Sequence, residues 1–255
     1  MRRRLLPLAV FAAALVLRAT MVSASPSSLP RAGVPWFLAV GDSITYGYSI
    51  DPAVQGNPSW AGMVRDSLAA QGDSVSLYSL ACPGETTTSY RDGGCSGRSM
   101  VPALGGRSQR DMALAAIAER GDRLQFMVME LGVNDYFAAR TQGGNVGIQL
   151  DAAIRRLDAL VAELQRAAPG VPVILANIYD PHGLPDSQAQ AEYLDSAIAT
   201  VAARRHAAVA DFLGAVRPDR CRLLDCAHHD IHPTVAGQQA LAAAVLAALQ
   251  RPQSR

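Results

Sequence analysis

Five short apolar runs, each followed by a stretch that reads as helix, constrain this chain more than any other feature. The first run, Trp36-Phe37-Leu38-Ala39-Val40, has no polar alternation and stops abruptly at Gly41-Asp42-Ser43. Such a run fits a strand buried on both faces, as in a parallel sheet lying between helices. Further strands are expected over 75–80, 124–130, 173–178 and 207–211. Between them, apolar residues recur at helical spacing. Trp60, Met63, Val64 and Leu68 follow a helix start at Asn57-Pro58 and precede a stop at Gly72. A second helix is expected over 109–119. The clearest spans 149–168, where Leu150, Ile154, Leu157, Val161 and Leu164 form one stripe ended by Pro169-Gly170. Two more are expected over 187–205 and 234–249, the last burying Leu241, Val245, Leu246 and Leu249. Strand and helix alternate five times without internal repeats. Parallel strands joined by right-handed crossovers then give one three-layer α/β/α domain with a five-stranded parallel sheet, over 36–250.

The chain has 255 residues, 49% of them hydrophobic, enough for one sizeable core. The N-terminus reads differently. Arg2, Arg3 and Arg4 precede an apolar run from Leu5 to Leu17, and Val22-Ser23-Ala24 offers small residues for cleavage. This is the pattern of a secretory signal peptide over 1–24, and the arginine triplet also fits twin-arginine export. The apolar run is shorter than the ~20 residues that span a bilayer, so no membrane span is expected in the mature chain. Cleavage there removes four arginines and no acid, moving the formal charge from +1 to −3. No basic block remains to suggest nucleic acid as a partner. Residues 25–35 read as a flexible lead-in. A secreted location, extracellular or periplasmic, lets the four cysteines pair. Three connectivities are possible, and Cys82–Cys95 with Cys221–Cys226 is expected because each pair brackets one loop. Zinc is the competing use of these cysteines, but no Cys-x-x-Cys is present.

In a parallel sheet every strand's carboxyl end reaches the same edge, where open α/β sheets bind their ligands. Three of the strands end in unusual turns: Gly41-Asp42-Ser43, Cys82-Pro83-Gly84 and Gly132-Val133-Asn134-Asp135. Asp230-Ile231-His232-Pro233-Thr234 precedes the last helix. The fold therefore brings a hydroxyl, an imidazole, carboxylates and amide donors to one crevice. A serine hydroxyl becomes nucleophilic when a neighbouring base takes its proton. Imidazole suits that task because its ordinary pKa, ~6.5, lies near neutrality.

These segments, in this order and over nearly the whole mature chain, resemble the GDSL-type or SGNH hydrolases, a superfamily of esterases and lipases. Cys-Pro-Gly-Glu-Thr-Thr further looks like secreted bacterial members. The resemblance implies a flavodoxin-like SGNH fold and a carboxylic ester hydrolase working through an acyl-enzyme. Ser43 would be the nucleophile, His232 the general base and Asp230 the carboxylate that orients it. Asp230 and His232 are two positions apart, where the commonest family spacing is three. Asp225 is the rival carboxylate, and His228 and His229 are neighbouring imidazoles expected on a solvated loop. The oxyanion donors would be the backbone amides of Ser43 and Gly84 and the side-chain amide of Asn134. Asp42 and Asp135 are expected to brace loops. No cofactor or metal is required, and the partner is a small-molecule, lipid or glycan ester met by a monomer. Two other readings are a catalytically inactive module of the same fold that binds an acylated glycan or lipid, and a metallohydrolase using His228, His229, Asp230 and His232. The spacing of those four matches no familiar zinc motif.

Overall fold

In a computed structural model, residues 29–51 and 58–250 are described. The expected signal peptide lies outside them, as does Asn57. Strand β1 (Trp36–Gly41) leads to the single helical turn α1 (Ser43–Tyr46). Helix α2 (Trp60–Ala70) follows, then β2 (Ser76–Ser79), α3 (Thr87–Asp92) and α4 (Gln109–Arg120). Next come β3 (Leu124–Glu130), α5 (Val133–Gln142), α6 (Val146–Ala167), β4 (Val173–Ala176) and α7 (Pro185–Arg205). Strand β5 (Ala208–Ala210), the short helices α8 (Phe212–Val216) and α9 (Arg220–Leu223), and α10 (Val235–Gln250) complete the chain.

The strands form one parallel sheet in the order β2-β1-β3-β4-β5. Alternate residues of β1 serve different layers, as the pleat requires. Trp36, Leu38 and Val40 join a core with Tyr90 of α3, Ala113 and Ile117 of α4, Leu157 and Val161 of α6, and Ile198 of α7. Phe37 and Ala39 face the other way, onto Trp60 and Val64 of α2, Phe212 of α8, and Leu241 and Val245 of α10. Phe37 stacks on Phe126 of β3 with ring centroids 4.6 Å apart. This is the expected α/β/α sandwich, and its order matters. The chain steps from β1 to β2 on one side, then crosses back to β3 on the other. The crevice above β1 and β3 is therefore the topological switch point, where ligand sites of open α/β sheets sit. Gly41 and Glu130 are paired across it.

Several boundaries differ from the sequence expectation for local reasons. The first strand ends at Gly41, because Asp42 caps the turn that Ser43 begins. Helix α2 is capped by Ser59, whose side chain accepts from the Gly62 amide, rather than by the expected Asn57. The stretch 91–106, expected to lack regular structure, contains the end of α3 and two 3-10 turns (Arg98–Met100 and Pro102–Leu104). Ile154, Leu246 and Leu249 are only partly buried on otherwise buried faces. Of the lead-in, residues 29–35 are described, and Leu29 packs against the core. Among the described residues no helix is long and apolar enough to cross a membrane.

Candidate active site

The nucleophile position is built at the end of β1. A Cβ on Gly41 would overlap Thr45 Oγ1 and the Glu130 carbonyl, so only glycine lets the chain turn that closely against β3. Asp42 Oδ1 then accepts from the Ile44 amide at 2.8 Å, starting α1 with Ser43 as its first residue. Gly47, in the left-handed region, ends the turn. Ser43 is held at the carboxyl edge of the sheet and is largely buried.

The imidazole arrives from outside the sheet. The segment between α9 and α10 folds back on itself through a Leu224–Pro233 bridge and a hydrogen bond from the Asp225 amide to the His232 carbonyl. The disulfide Cys221–Cys226 closes its base, and Cys82–Cys95 closes the loop after β2, the two local pairs expected. His232 Nε2 lies 2.9 Å from Ser43 Oγ, and Nδ1 lies 2.6 Å from Asp230 Oδ1. Among the described residues Asp230 Oδ2 is buried without a donor, and the hydrogen bonds to this carboxylate come from His232. The two-residue spacing works because Ile231 turns inward between them, its carbonyl accepting from the buried Tyr179 hydroxyl at 2.9 Å. Tyr48 covers the imidazole from above, ring centroids 4.5 Å apart.

The neighbouring residues are otherwise engaged. His228 Nδ1 sits 2.8 Å from each oxygen of Asp225, a hydrogen-bonded pair at the surface. His229 occupies a left-handed turn at φ 54°. The segment thus carries two histidine–aspartate pairs, and only His232 reaches Ser43. Among the described residues, the one group of three ligand-type side chains close enough for a single ion is Cys82, Glu85 and Cys95, whose sulfurs are joined to each other. The histidine-rich segment forms no such group.

Asn134, the second residue of α5, donates from Nδ2 to Asp42 Oδ2 at 2.9 Å, which fixes the plane of its amide beside Ser43's own segment. Gly84 sits after β2 with φ 76°, where a Cβ would overlap Ser96 Oγ. Asp42 and Asp135 brace loops as expected. Asp135 accepts from the Thr87 amide at 2.9 Å and hydroxyl at 2.6 Å and pairs with Arg156, locking α3, α5 and α6 together.

Beneath Ser43 lies a layer of buried acids that sequence reasoning missed. Glu130, at the end of β3, accepts from Thr45 Oγ1 at 3.0 Å and from the Asp42 amide at 3.4 Å. Burial, then the facing Glu130, push the Asp42 carboxyl well above the usual carboxylate range; burial also raises Glu130. Two buried carboxyls facing each other disfavour the state in which both are charged. Glu85 is pushed up to about 7 by burial, which outweighs its hydrogen bonds from Ser89 and Gln109. The signal available in the sequence was a carboxylate between Met129 and Leu131, at the end of an otherwise apolar strand.

The sheet is doubly wound, and a hydroxyl, an imidazole and a carboxylate lie in hydrogen-bonded series at its switch point. The model of the GDSL-like lipase/acylhydrolase family matches residues 39–240, so the chain belongs to that family and is a carboxylic ester hydrolase. Among solved structures, the chain resembles the acetylxylan esterase Axe2 from Geobacillus stearothermophilus. The TM-score is 0.62 at 18% identity, covering 88% of this chain and 97% of that one. It also resembles LAE5, an alpha/beta hydrolase from the metagenome of Lake Arreo, with TM-score 0.58, 22% identity and coverage of 85% and 95%. A third is the lipase Lip_vut3 from a goat rumen metagenome, at 0.61, 15% identity and coverage of 87% and 100%. At these identities the likeness is one of fold. No curated protein sequence matches the chain.

Proposed function

We propose that the chain is a secreted serine esterase in which Ser43, His232 and Asp230 form the catalytic triad. The observation that carries this is the continuous series Ser43 Oγ to His232 Nε2, 2.9 Å, and His232 Nδ1 to Asp230 Oδ1, 2.6 Å. Asp230 Oδ1 accepts a hydrogen bond from Nδ1–H of His232, which leaves the Nε2 lone pair facing the hydroxyl. Ser43 Oγ attacks the ester carbonyl carbon while Nε2 accepts its proton. The carbonyl oxygen becomes an oxyanion, met by the amides of Ser43 and Gly84 and by the remaining N–H of Asn134. The C–O bond of the ester then breaks, Nε2–H protonates the departing alcohol, and an acyl group stays on Ser43. A water molecule that gives its proton to Nε2 attacks the acyl-enzyme, and the acid leaves as Ser43 regains its proton.

Export follows from the arginine-led apolar run at residues 2–17, and both disulfides suit an oxidising compartment. The named activities of the neighbours, an acetylxylan esterase and a lipase, support glycan or lipid esters as the substrate class. The complete relay favours an enzyme over a binding module. Hydrolysis of p-nitrophenyl esters of increasing acyl length by purified protein tests the reading. Ser43→Ala is expected to lower kcat by about 10⁴-fold or more with the fold intact by circular dichroism. Turnover retained in that variant sinks the assignment.

A further inference from the structure

Gln109 opens α4, directly after the capping residue Ser108, where a polar side chain normally faces solvent. It is instead completely buried, and so is Glu85 to within 1%. A buried primary amide costs stability unless its donors and acceptor are used, and here both ends are. Its Oε1 accepts from the Gly41 amide at 3.1 Å, and its Nε2 donates to the Gly41 carbonyl at 2.7 Å. This two-point clasp continues the sheet's hydrogen bonding past the end of β2. The same Nε2 donates to Glu85 Oε2 at 2.7 Å. Glu85 Oε1 accepts from the Ser89 hydroxyl of α3, and the Glu85 amide donates to the Cys82 carbonyl at 3.1 Å.

One side chain thus joins two segments 44 positions apart, at points adjacent to the donors that matter. Gly41 lies two residues before Ser43, and Glu85 lies one after Gly84. Among the described residues one direct backbone bond joins these turns, from the Cys82 amide to the Gly41 carbonyl at 3.1 Å. Beyond Pro83 the turn is tied to α5 through the bonds from Thr87 to Asp135, and Gln109 is what ties it to β1. The disulfide and the bond from the Gly97 amide to the Pro83 carbonyl hold that loop to its own flank, not to β1.

We infer that Gln109 and Glu85 are positioning residues that set the separation between the Ser43 and Gly84 amides, and so the width of the oxyanion hole. The inference rests on the triad reading given above. Donors act on a developing oxyanion only when held at 2.7–3.1 Å from it, and a displacement of about 1 Å can cost 10²-fold in rate. Loss of the bracket should therefore weaken transition-state binding and leave ground-state binding alone.

The test compares Gln109→Met, Glu85→Ala and Glu85→Gln with wild type, each well below its own melting temperature. Gln109→Met and Glu85→Ala are expected to lower kcat for p-nitrophenyl acetate by about 10–100-fold with KM within about twofold. The inhibition constant of phenylboronic acid, which forms a tetrahedral adduct, should rise by the same factor. Glu85→Gln should restore most of kcat, because its carbonyl still accepts from Gln109 and its amide donates to Ser89 Oγ, reversing the bond that the Ser89 hydroxyl gives Glu85 in the wild type. A purely structural bracket would lower melting temperature while kcat and boronate affinity stay at wild-type values, and that overturns the inference. So does Glu85→Gln matching Glu85→Ala in kcat. If Gln109→Met does not fold, the Glu85 pair decides alone. Failure of the triad reading is separately visible, as activity that survives Ser43→Ala.

Discussion

The nucleophile and its base are supported in opposite ways. Ser43 stands two residues past the end of β1, a strand hydrogen-bonded on both sides, over a layer of buried polar residues comprising Asp42, Thr45, Glu85, Gln109 and Glu130. His232 stands on a segment outside the sheet, where Asp225, His228 and His229 are partly or fully exposed and one short disulfide ring closes the loop. The first side is fixed by core packing and a buried polar network. The second is fixed by a cross-link and a few backbone bonds at the surface. One half of the site therefore answers to burial and pH, the other to covalent closure.

The largest expected effect sharpens the distinction within the base segment itself. His232→Ala should lower kcat by about 10⁴–10⁶-fold, whereas His228→Ala and His229→Ala should stay within about twofold. Steady-state kinetics on p-nitrophenyl acetate reads all three, and a severe loss at His228 would reassign the base. Next in size is the pH dependence of the nucleophile side. Glu85 titrates at about 7 in the folded chain against an ordinary 4.5, so the folded form binds the proton more tightly than the unfolded one. Its stabilising contribution is full below about 4.5, falls as pH rises through 7, and amounts to about 3 kcal/mol across that window. The raised Asp42 acts in the same direction. Urea midpoints at pH 5 and pH 8 should fall with rising pH in wild type and fall less in Glu85→Gln; equal slopes would remove Glu85 as the cause. The smallest effect belongs to the base side. Replacing Cys221 and Cys226 by alanine opens a ring of sequence separation 5, a loss of about 2 kcal/mol on loop-closure grounds. Its thermal signature should be local, with activity lost several degrees before far-ultraviolet dichroism. Coincident midpoints would show that the two halves unfold together, and the contrast drawn here would be broken.

Much of this was legible in the chain because burial and turn chemistry leave local marks. Strand β3 occupies 124–130 as the apolar run implies, and Gly41-Asp42-Ser43 marks the crevice because glycine and a capping acid are what a sharp strand-to-helix turn requires. The short helices α3 and α5 were not legible. Thr87–Asp92 carries no apolar stripe and Val133–Gln142 only a short one (Val133, Tyr136 and Ala139), and they are held by a capping box at Thr86 and by the Asp135–Thr87–Arg156 contacts, which join distant parts of the chain. Gln109 was invisible for the same reason. At a helix start it reads as a solvent-facing residue, and only partners 68 and 24 positions away make it a buried cross-link. The Asp230–His232 pair was found by its motif, but its workable geometry depends on Tyr179 holding the Ile231 carbonyl, a contact across 52 positions.

Strand β1 has a neighbour on each flank, β2 and β3. Amide protons of such an interior strand exchange with deuterium only when most of the molecule opens, whereas those of a surface segment exchange through small local fluctuations. The two reacting groups thus belong to units that come apart on different clocks. On gentle warming, enzyme molecules should lose the imidazole's approach first, while the hydroxyl still stands where the fold put it, and cooling should return them to work without refolding the sheet.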